Sequence, residues 1–339
     1  MTTSPLLSRP PEEGARILAL HFLDQAAEAW PRLADKSDTE ALHDFRVALR
    51  RLRSCLRAYR HPLEGSLPKK LLKKLRRLAQ ATNPGRDTEV QIEWLRGRGR
   101  HLSSYHRAGL TWLLGRMEAR MQAAYDEMES ELKQEFLDAE SELRRRLSVY
   151  RTEVRLDGSG SQTTLAEVTA EILREHVREL EEHLARVETV EDEEEAHEAR
   201  IAAKRARYLL EPLAHEIPGA GPLVKRFKAF QDLLGDLHDA HVLETELAQA
   251  VEEAAAERAR RLFEISLEGV EDERLLRAAG RRAAESGVIT LARLNRGRRD
   301  RLFQQLQDEW LNGKAGEFLR EVEGLAEVLE ERTQGTKGT

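Results

Sequence analysis

Arginine side chains crowd one short stretch of the chain, ALHDFRVALRRLRSCLRAYR at residues 41–60, which holds six arginines and one acid. Guanidinium groups bind phosphate oxygens through pairs of parallel hydrogen bonds, so this composition suggests a phosphate-rich ligand. On a helix that turns by about 100° per residue, one stripe would comprise His43, Arg46, Arg50, Arg53 and Arg57. The apolar face would comprise Phe45, Leu49, Leu52, Leu56 and Tyr59. Arginines four residues apart repel each other, and stability alone would place acids between them. A bound polyanion explains the stripe better.

A solvated surface is the alternative interpretation of one arginine-rich helical face, and a second copy of the pattern weighs against it. Residues 43–53 and 197–207 both read H-x-x-R-[VI]-A-x-[RK]-R-x-R. The second stripe would comprise His197, Arg200, Lys204 and Arg207. The recurrence favours one anion site to which both helices contribute. Because a lone histidine inside a helix is more often a hydrogen-bonded structural residue than a ligand, we predict no metal site.

A second repeated block follows each stripe, since residues 73–90 align with residues 225–242. The matched cations are Lys73, Lys74 and Arg76 in the first block and Lys225, Arg226 and Lys228 in the second. Arg86-Asp87 aligns with His238-Asp239. Two blocks in the same order indicate two homologous halves, residues 1–157 and 163–332, packed about a pseudo-twofold axis with a basic groove or pore between them. We expect a disordered tail at residues 333–339.

The elements that must hold these side chains are predicted to be helices throughout. Charged residues make up 34 % of the chain and aromatic residues 5 %, a composition typical of an all-α protein with long, solvated helices. The predicted helices cover residues 12–34, 39–60, 68–82, 87–97, 101–152, 164–187, 192–216, 221–235, 238–286 and 298–332. Ser37 is the predicted cap of the first basic helix, in the capping-box sequence SDTE. PGRD and LGDLHD are predicted to be turns.

Charge and composition also exclude several classes of protein. No apolar run is long enough for a membrane helix, and the first residues lack the pattern of a secretory signal. Cys55 is the only cysteine, so an internal disulfide is excluded, and a cytoplasmic location is the default.

The chain carries a net charge of -6, yet residues 40–107 hold 17 lysines and arginines against 6 acids. Such an asymmetry favours a focused anion site over general binding of polyanions.

The two H-x-x-R motifs, the RYLLE run at residues 207–211, and the PGRD and LGDLHD segments together resemble the CHAD domain, the conserved histidine α-helical domain. The resemblance covers about residues 10–330. It implies two four-helix-type bundles with internal twofold symmetry, a basic central channel, binding of inorganic polyphosphate, and recruitment to polyphosphate granules and their proteins. The residues that it marks are His43, Arg46, Arg50, Arg51, Arg53, His197, Arg200, Lys204, Arg205 and Arg207.

Three functions remain open at this stage. The first is non-enzymatic binding of polyphosphate without a cofactor, by the marked residues together with Arg57, Arg86 and the six matched cations of the second block. The second is a metal-dependent phosphohydrolase that uses His238, Asp239 and His241. The third is nucleic-acid binding, which the shortage of aromatic residues for stacking disfavours, as does an acidic exterior that would repel a duplex. We expect no membrane partner.

Overall fold

The computed structural model describes residues 5–35, 38, 40–149, 163–267, 284–311 and 313–335. Over these residues the chain forms ten α-helices and no strand, so the fold is all-α as predicted. The first five are α1 Pro11–Arg32, α2 Ala41–Ala58, α3 Lys69–Ala81, α4 Asn83–Arg98 and α5 Ser104–Ser148. The others are α6 Leu165–Leu184, α7 Glu193–Leu210, α8 Ala220–Leu267, α9 Ala284–Leu306 and α10 Lys314–Gly335.

Local chemistry explains where several helices begin. Pro11 opens α1, where its missing N–H costs nothing, and α6 begins with a capping box of Thr164 and Glu167. The start of α2 is held by Asp38, whose carboxylate accepts hydrogen bonds from the backbone N–H groups of Glu40 and Ala41. Asp38 therefore caps the first basic helix, and the predicted Ser37 lies outside the described residues.

The main core brings both predicted halves together. It is built from α1, α2, α3 and the end of α5, and from α6, α7, α10, the beginning of α8 and the end of α9. Helix α2 lies against α7, and α1 lies against α6. A buried hydrogen bond of 2.9 Å between Tyr59, just after α2, and Thr169 on α6 joins the two predicted halves. The two predicted halves therefore share one core, and the twofold relation between them stays a prediction.

A second core lies where α4 and the beginning of α5 meet the middle of α8 and the beginning of α9. Helices α5 and α9 cross at two glycines, Gly109 and Gly287, whose backbones touch. A Cβ added to Gly109 would lie 2.7 Å from the Cα of Gly287, closer than real side chains approach. The long helices α5 and α8 reach from one core to the other and fix their separation.

Some predicted boundaries were wrong. LGDLHD lies inside α8, which runs unbroken from Ala220 to Leu267, and PGRD lies in the first turn of α4. The predicted helix over residues 298–332 is interrupted by a π-helical turn, Gln307–Leu311, and by Gly313 in a left-handed conformation with φ of 89°. The last helix continues to Gly335, into the predicted tail.

No described helix combines the length and apolar character that a bilayer span requires.

Candidate functional site: a cation cluster between two helices

Helices α2 and α7 carry the two predicted stripes and pack against each other. The buried face of α7 is formed largely by alanines, Ala199, Ala202, Ala203 and Ala206. The buried face of α2 includes Ala48, Leu49 and Leu52. Small side chains allow two helices to approach closely. The polar stripe beside each apolar face therefore lies near its counterpart on the other helix.

Lys204 shows that the two stripes meet. Its side chain is half-buried on α7, with Arg200 and Arg207 one turn away on the same helix. Arg50 and Arg53 act on it from α2. Burial, followed by the repulsion of these four guanidinium groups, lowers the pKa of the Lys204 amine from 10.5 to about 7. We call Arg50, Arg53, Arg200, Lys204 and Arg207 the cation cluster.

The cluster continues beyond these five residues. Burial, and the charges of Arg76 on α3 and of Arg57, lower the pKa of Arg53. Burial and the nearby Arg205 lower the pKa of Arg57, although acids on α6 and α7 oppose this effect. Arginine keeps its proton in spite of such shifts. The positive charge therefore extends along α2 toward α3.

Four of the five members of the cation cluster lack a counter-ion in the part of the chain that the structure describes. Among the described residues, Arg50, Arg53, Arg200 and Lys204 make no ion pair, and the buried Nε of Arg50 has no hydrogen-bond partner. Arg207 lies 3.9 Å from Glu211, at the end of the stripe. Unpaired cations that share a partly buried site repel one another, so the arrangement is one that a bound anion would stabilise.

Five of the predicted binding residues instead pair with acids. Arg51 pairs with Glu211 just after α7, and Arg205 pairs with Glu179 on α6 at 2.9 Å. Lys74 is paired across helices with Asp138, Arg226 with Glu321, and Lys228 along its own helix with Asp232. These five cations are already neutralised, so an external anion would have to compete with a carboxylate.

For the remaining predicted residues the structure shows how exposed each side chain is. His43, Lys73 and Lys225 are exposed, and Arg46 is half-buried. The side chain of Arg86 lies outside the described part of the chain.

His197 belongs to a group of three histidines near the beginning of α7. Its ring lies beside that of His238, with 4.6 Å between the centroids. His238 and His241 approach the two carboxylate oxygens of Glu193, at 3.4 Å and 3.6 Å. Burial and the charges of His238 and Arg200 lower the pKa of His197, and its Nδ1 has no hydrogen-bond partner. Within the described residues, no group of three or more histidines, cysteines or acids is arranged to hold a metal ion.

Two residues that matter to the site were missed in the sequence. Glu211 places a negative charge at the end of the α7 stripe, where it pairs with Arg51 and approaches Arg207. Gly235, inside α8, lies against the guanidinium of Arg200, whose Nε would lie 3.4 Å from an added Cβ, an ordinary van der Waals contact. Glu211 follows Arg207 by four residues, a spacing that allows an ion pair along a helix. Its pairing with Arg51, 160 residues away, has no signal in the local sequence.

Comparison with known proteins decides the family. The family model of the CHAD domain matches residues 17–248, more than half of the chain. The chain belongs to the CHAD domain family. The matched range contains the whole cation cluster, whereas α9 and α10 lie beyond it. No curated protein matches the chain in sequence.

Two solved structures share the CHAD fold of this chain. The crystal structure of the CHAD domain from the plant Ricinus communis is 20 % identical, covers 83 % of this chain and 92 % of its own, and has a TM-score of 0.58. PptA from Streptomyces chartreusis is 14 % identical to this chain. The alignment covers 87 % of this chain and 99 % of PptA, with a TM-score of 0.55. At these identities the likeness establishes the fold alone.

Proposed function

We propose that this CHAD protein binds inorganic polyphosphate, without hydrolysing it, at the cation cluster between α2 and α7. The observation that carries the proposal is the absence of counter-ions for Arg50, Arg53, Arg200 and Lys204 among the described residues. A linear polyphosphate carries about one negative charge per phosphate and would supply the missing charge along both stripes. Guanidinium groups suit its oxygens because they donate parallel hydrogen bonds.

Binding of this kind needs no cofactor and no catalytic group. Affinity would come from charge-assisted hydrogen bonds and from the release of ions condensed on the polyphosphate, by analogy with nucleic-acid binding. Helices α2 and α7 would each contribute one wall of the binding surface. We further propose a cytoplasmic protein that binds to polyphosphate granules, with granule proteins as partners.

A titration with several anions tests this proposal. The pure protein should bind long-chain polyphosphate far more tightly than orthophosphate or pyrophosphate, because a longer anion contacts more cations at once. Binding should be unchanged by a chelator, and duplex DNA and single-stranded RNA should bind weakly at the same salt concentration. Phosphate release should stay at background with Mg²⁺, Mn²⁺ or Zn²⁺.

Two results would contradict the proposal. Equal affinity for RNA and polyphosphate would indicate a nucleic-acid protein. Metal-dependent phosphate release that is lost in His238→Ala would indicate the phosphohydrolase.

A further inference from the structure

Lys204 differs from the other members of the cation cluster in what it can do with its charge. Arginine cannot release its proton under ordinary conditions, whereas a lysine that is buried or crowded by cations can. The Lys204 side chain is half-buried and has no hydrogen bond or ion pair among the described residues. It is therefore the member of the cluster that can relieve the repulsion by becoming neutral.

The charges that act on Lys204 come from two helices. Helix α7 itself contributes Arg200 and Arg207, and α2 contributes Arg50 and Arg53. Beyond this first layer, Arg76 on α3 acts on Arg53, and His238 on α8 acts on His197.

The nearby acids are engaged elsewhere. Glu211 pairs with Arg51, and Glu179 on α6 pairs with Arg205. No described carboxylate lies within ion-pair distance of Lys204, so its surroundings disfavour the ammonium form.

We propose that Lys204 takes up a proton when polyphosphate binds, so that the affinity of the cluster depends on pH. The inference rests on the proposed function, since it concerns how that same site is regulated. Phosphate oxygens at the cluster would reverse the local potential and restore the ammonium form. The charged lysine would then donate hydrogen bonds to the chain that it helps to hold.

The sign of the pH dependence follows from linkage between proton and ligand. The pKa of Lys204 is about 7 without ligand because of burial and the four arginines, and a bound polyanion raises it. Below pH 7 the amine already carries its proton, so affinity changes little. Above pH 7 each binding event must take up a proton, so affinity falls by up to about tenfold per pH unit until the pKa of the bound state is reached.

Calorimetry on the full chain tests this inference. Long-chain polyphosphate is titrated at pH 6, 7, 8 and 9 in pairs of buffers with different ionisation enthalpies, which reports the number of protons taken up. Long chains keep the titration of the ligand's own end groups small. We expect the parent to take up nearly the same number of protons as a Lys204→Arg variant at pH 6 and close to one more at pH 8, with an affinity that falls from pH 7 to pH 9.

The Lys204→Arg variant tests whether Lys204 is the group that takes up the proton. It keeps a positive charge at every pH, so it should bind at pH 6 nearly as the parent does and should lose this additional proton uptake and most of the fall between pH 7 and pH 9. Lys314→Arg, at an exposed lysine of α10 outside both repeated blocks, is the matched control and should behave as the parent.

The outcomes distinguish the inference from the function on which it rests. Polyphosphate binding without this additional proton uptake at pH 8 would overturn the inference and leave the proposed function intact. The same fall of affinity in Lys204→Arg would also overturn it, since the titrating group would then be another. Absence of polyphosphate binding at every pH would overturn the proposed function itself.

Discussion

The two cores of the molecule both carry many arginines but treat their charges differently. Around the second core, arginines face acids on other helices. The pairs are Arg96–Glu118, Arg116–Glu253, Arg120–Glu246, Arg258–Glu285 and Arg299–Glu244. Beside the main core, α2 and α7 bring four cations together without one such pair among the described residues.

The difference shows that arginine content alone does not identify a binding site. An arginine whose charge is balanced by a facing carboxylate serves mainly to align two helices, and an exposed pair of this kind contributes little to stability. A group of arginines without partners has a repulsion that a ligand can remove. The two regions differ more in whether their cations have counter-ions than in the cations themselves.

The comparison is tested most strongly by reversing charge in each region. Arg50→Glu with Lys204→Glu should weaken polyphosphate binding by about 100-fold or more, because two contacts are lost and two repulsions are introduced. Neither residue lies on the apolar face of its helix, so circular dichroism should show the parent's helical content. Calorimetry gives the affinities.

The matched control reverses two paired arginines, Arg116→Glu with Arg120→Glu, which changes the net charge to nearly the same extent. These side chains are about half exposed, and each faces an acid on α8. Binding should stay within about twofold of the parent, the reduction expected from net charge alone. An equal loss in both double variants would show that overall charge, and not the cation cluster, governs binding.

A second test asks whether the two regions are independent. In Gly109→Ala the new Cβ would meet the backbone of Gly287 at 2.7 Å and of Val288 at 2.8 Å. We expect the variant to lose about 1–3 kcal/mol of unfolding free energy in a denaturant titration, the usual cost of overpacking. Below the unfolding transition, polyphosphate affinity should equal that of the parent.

Gly115 on the same helix provides the control, because nothing lies within 4 Å of an added Cβ. Gly115→Ala should gain up to about 1 kcal/mol from helix propensity. A folded Gly109→Ala that binds polyphosphate tenfold more weakly would show that the second core shapes the site.

A smaller effect on affinity is expected from a substitution at Glu211, the acid beside Arg207 of the cation cluster. Glu211→Gln removes a negative charge beside Arg207 and releases Arg51. The variant should bind polyphosphate about three- to tenfold more tightly at low salt, since the local potential becomes more positive. Glu118→Gln, which releases Arg96 at the second core, should leave affinity unchanged. If Glu211→Gln binds more weakly than the parent, Glu211 orders the site rather than limiting it.

Much of the fold could be predicted from periodicity and capping signals. The bounds of α1, α2, α3, α6 and α7 differ from their predicted ranges mainly by a few residues at the ends. The predicted break near Gly235 was wrong because a glycine inside a helix costs only about 1 kcal/mol, and α8 continues through it. The break before Gly313 does have a local signal, since glycine commonly ends helices in a left-handed conformation.

The candidate site was less accessible to sequence reasoning. The repeated stripes predicted which cations to consider, and the structure places Arg50 and Arg53 against Lys204. Lys228 and Asp232 are four residues apart, a spacing that the sequence does show. The stripes could not predict the other neutralised cations, because the partners of those cations are remote in the chain. Arg51 and Glu211 are 160 residues apart, and Arg226 and Glu321 are 95 apart. Only the packing of helices brings such pairs together.

The most direct test of the central claim is the salt dependence of polyphosphate binding. If the unpaired cations hold the ligand, the logarithm of affinity should fall steeply and linearly with the logarithm of salt concentration. Calorimetry across a salt series should show the slope reduced by about one unit in Arg53→Gln and unchanged in Arg116→Gln. A shallow slope for the parent, or the same slope in Arg53→Gln as in the parent, would contradict the account.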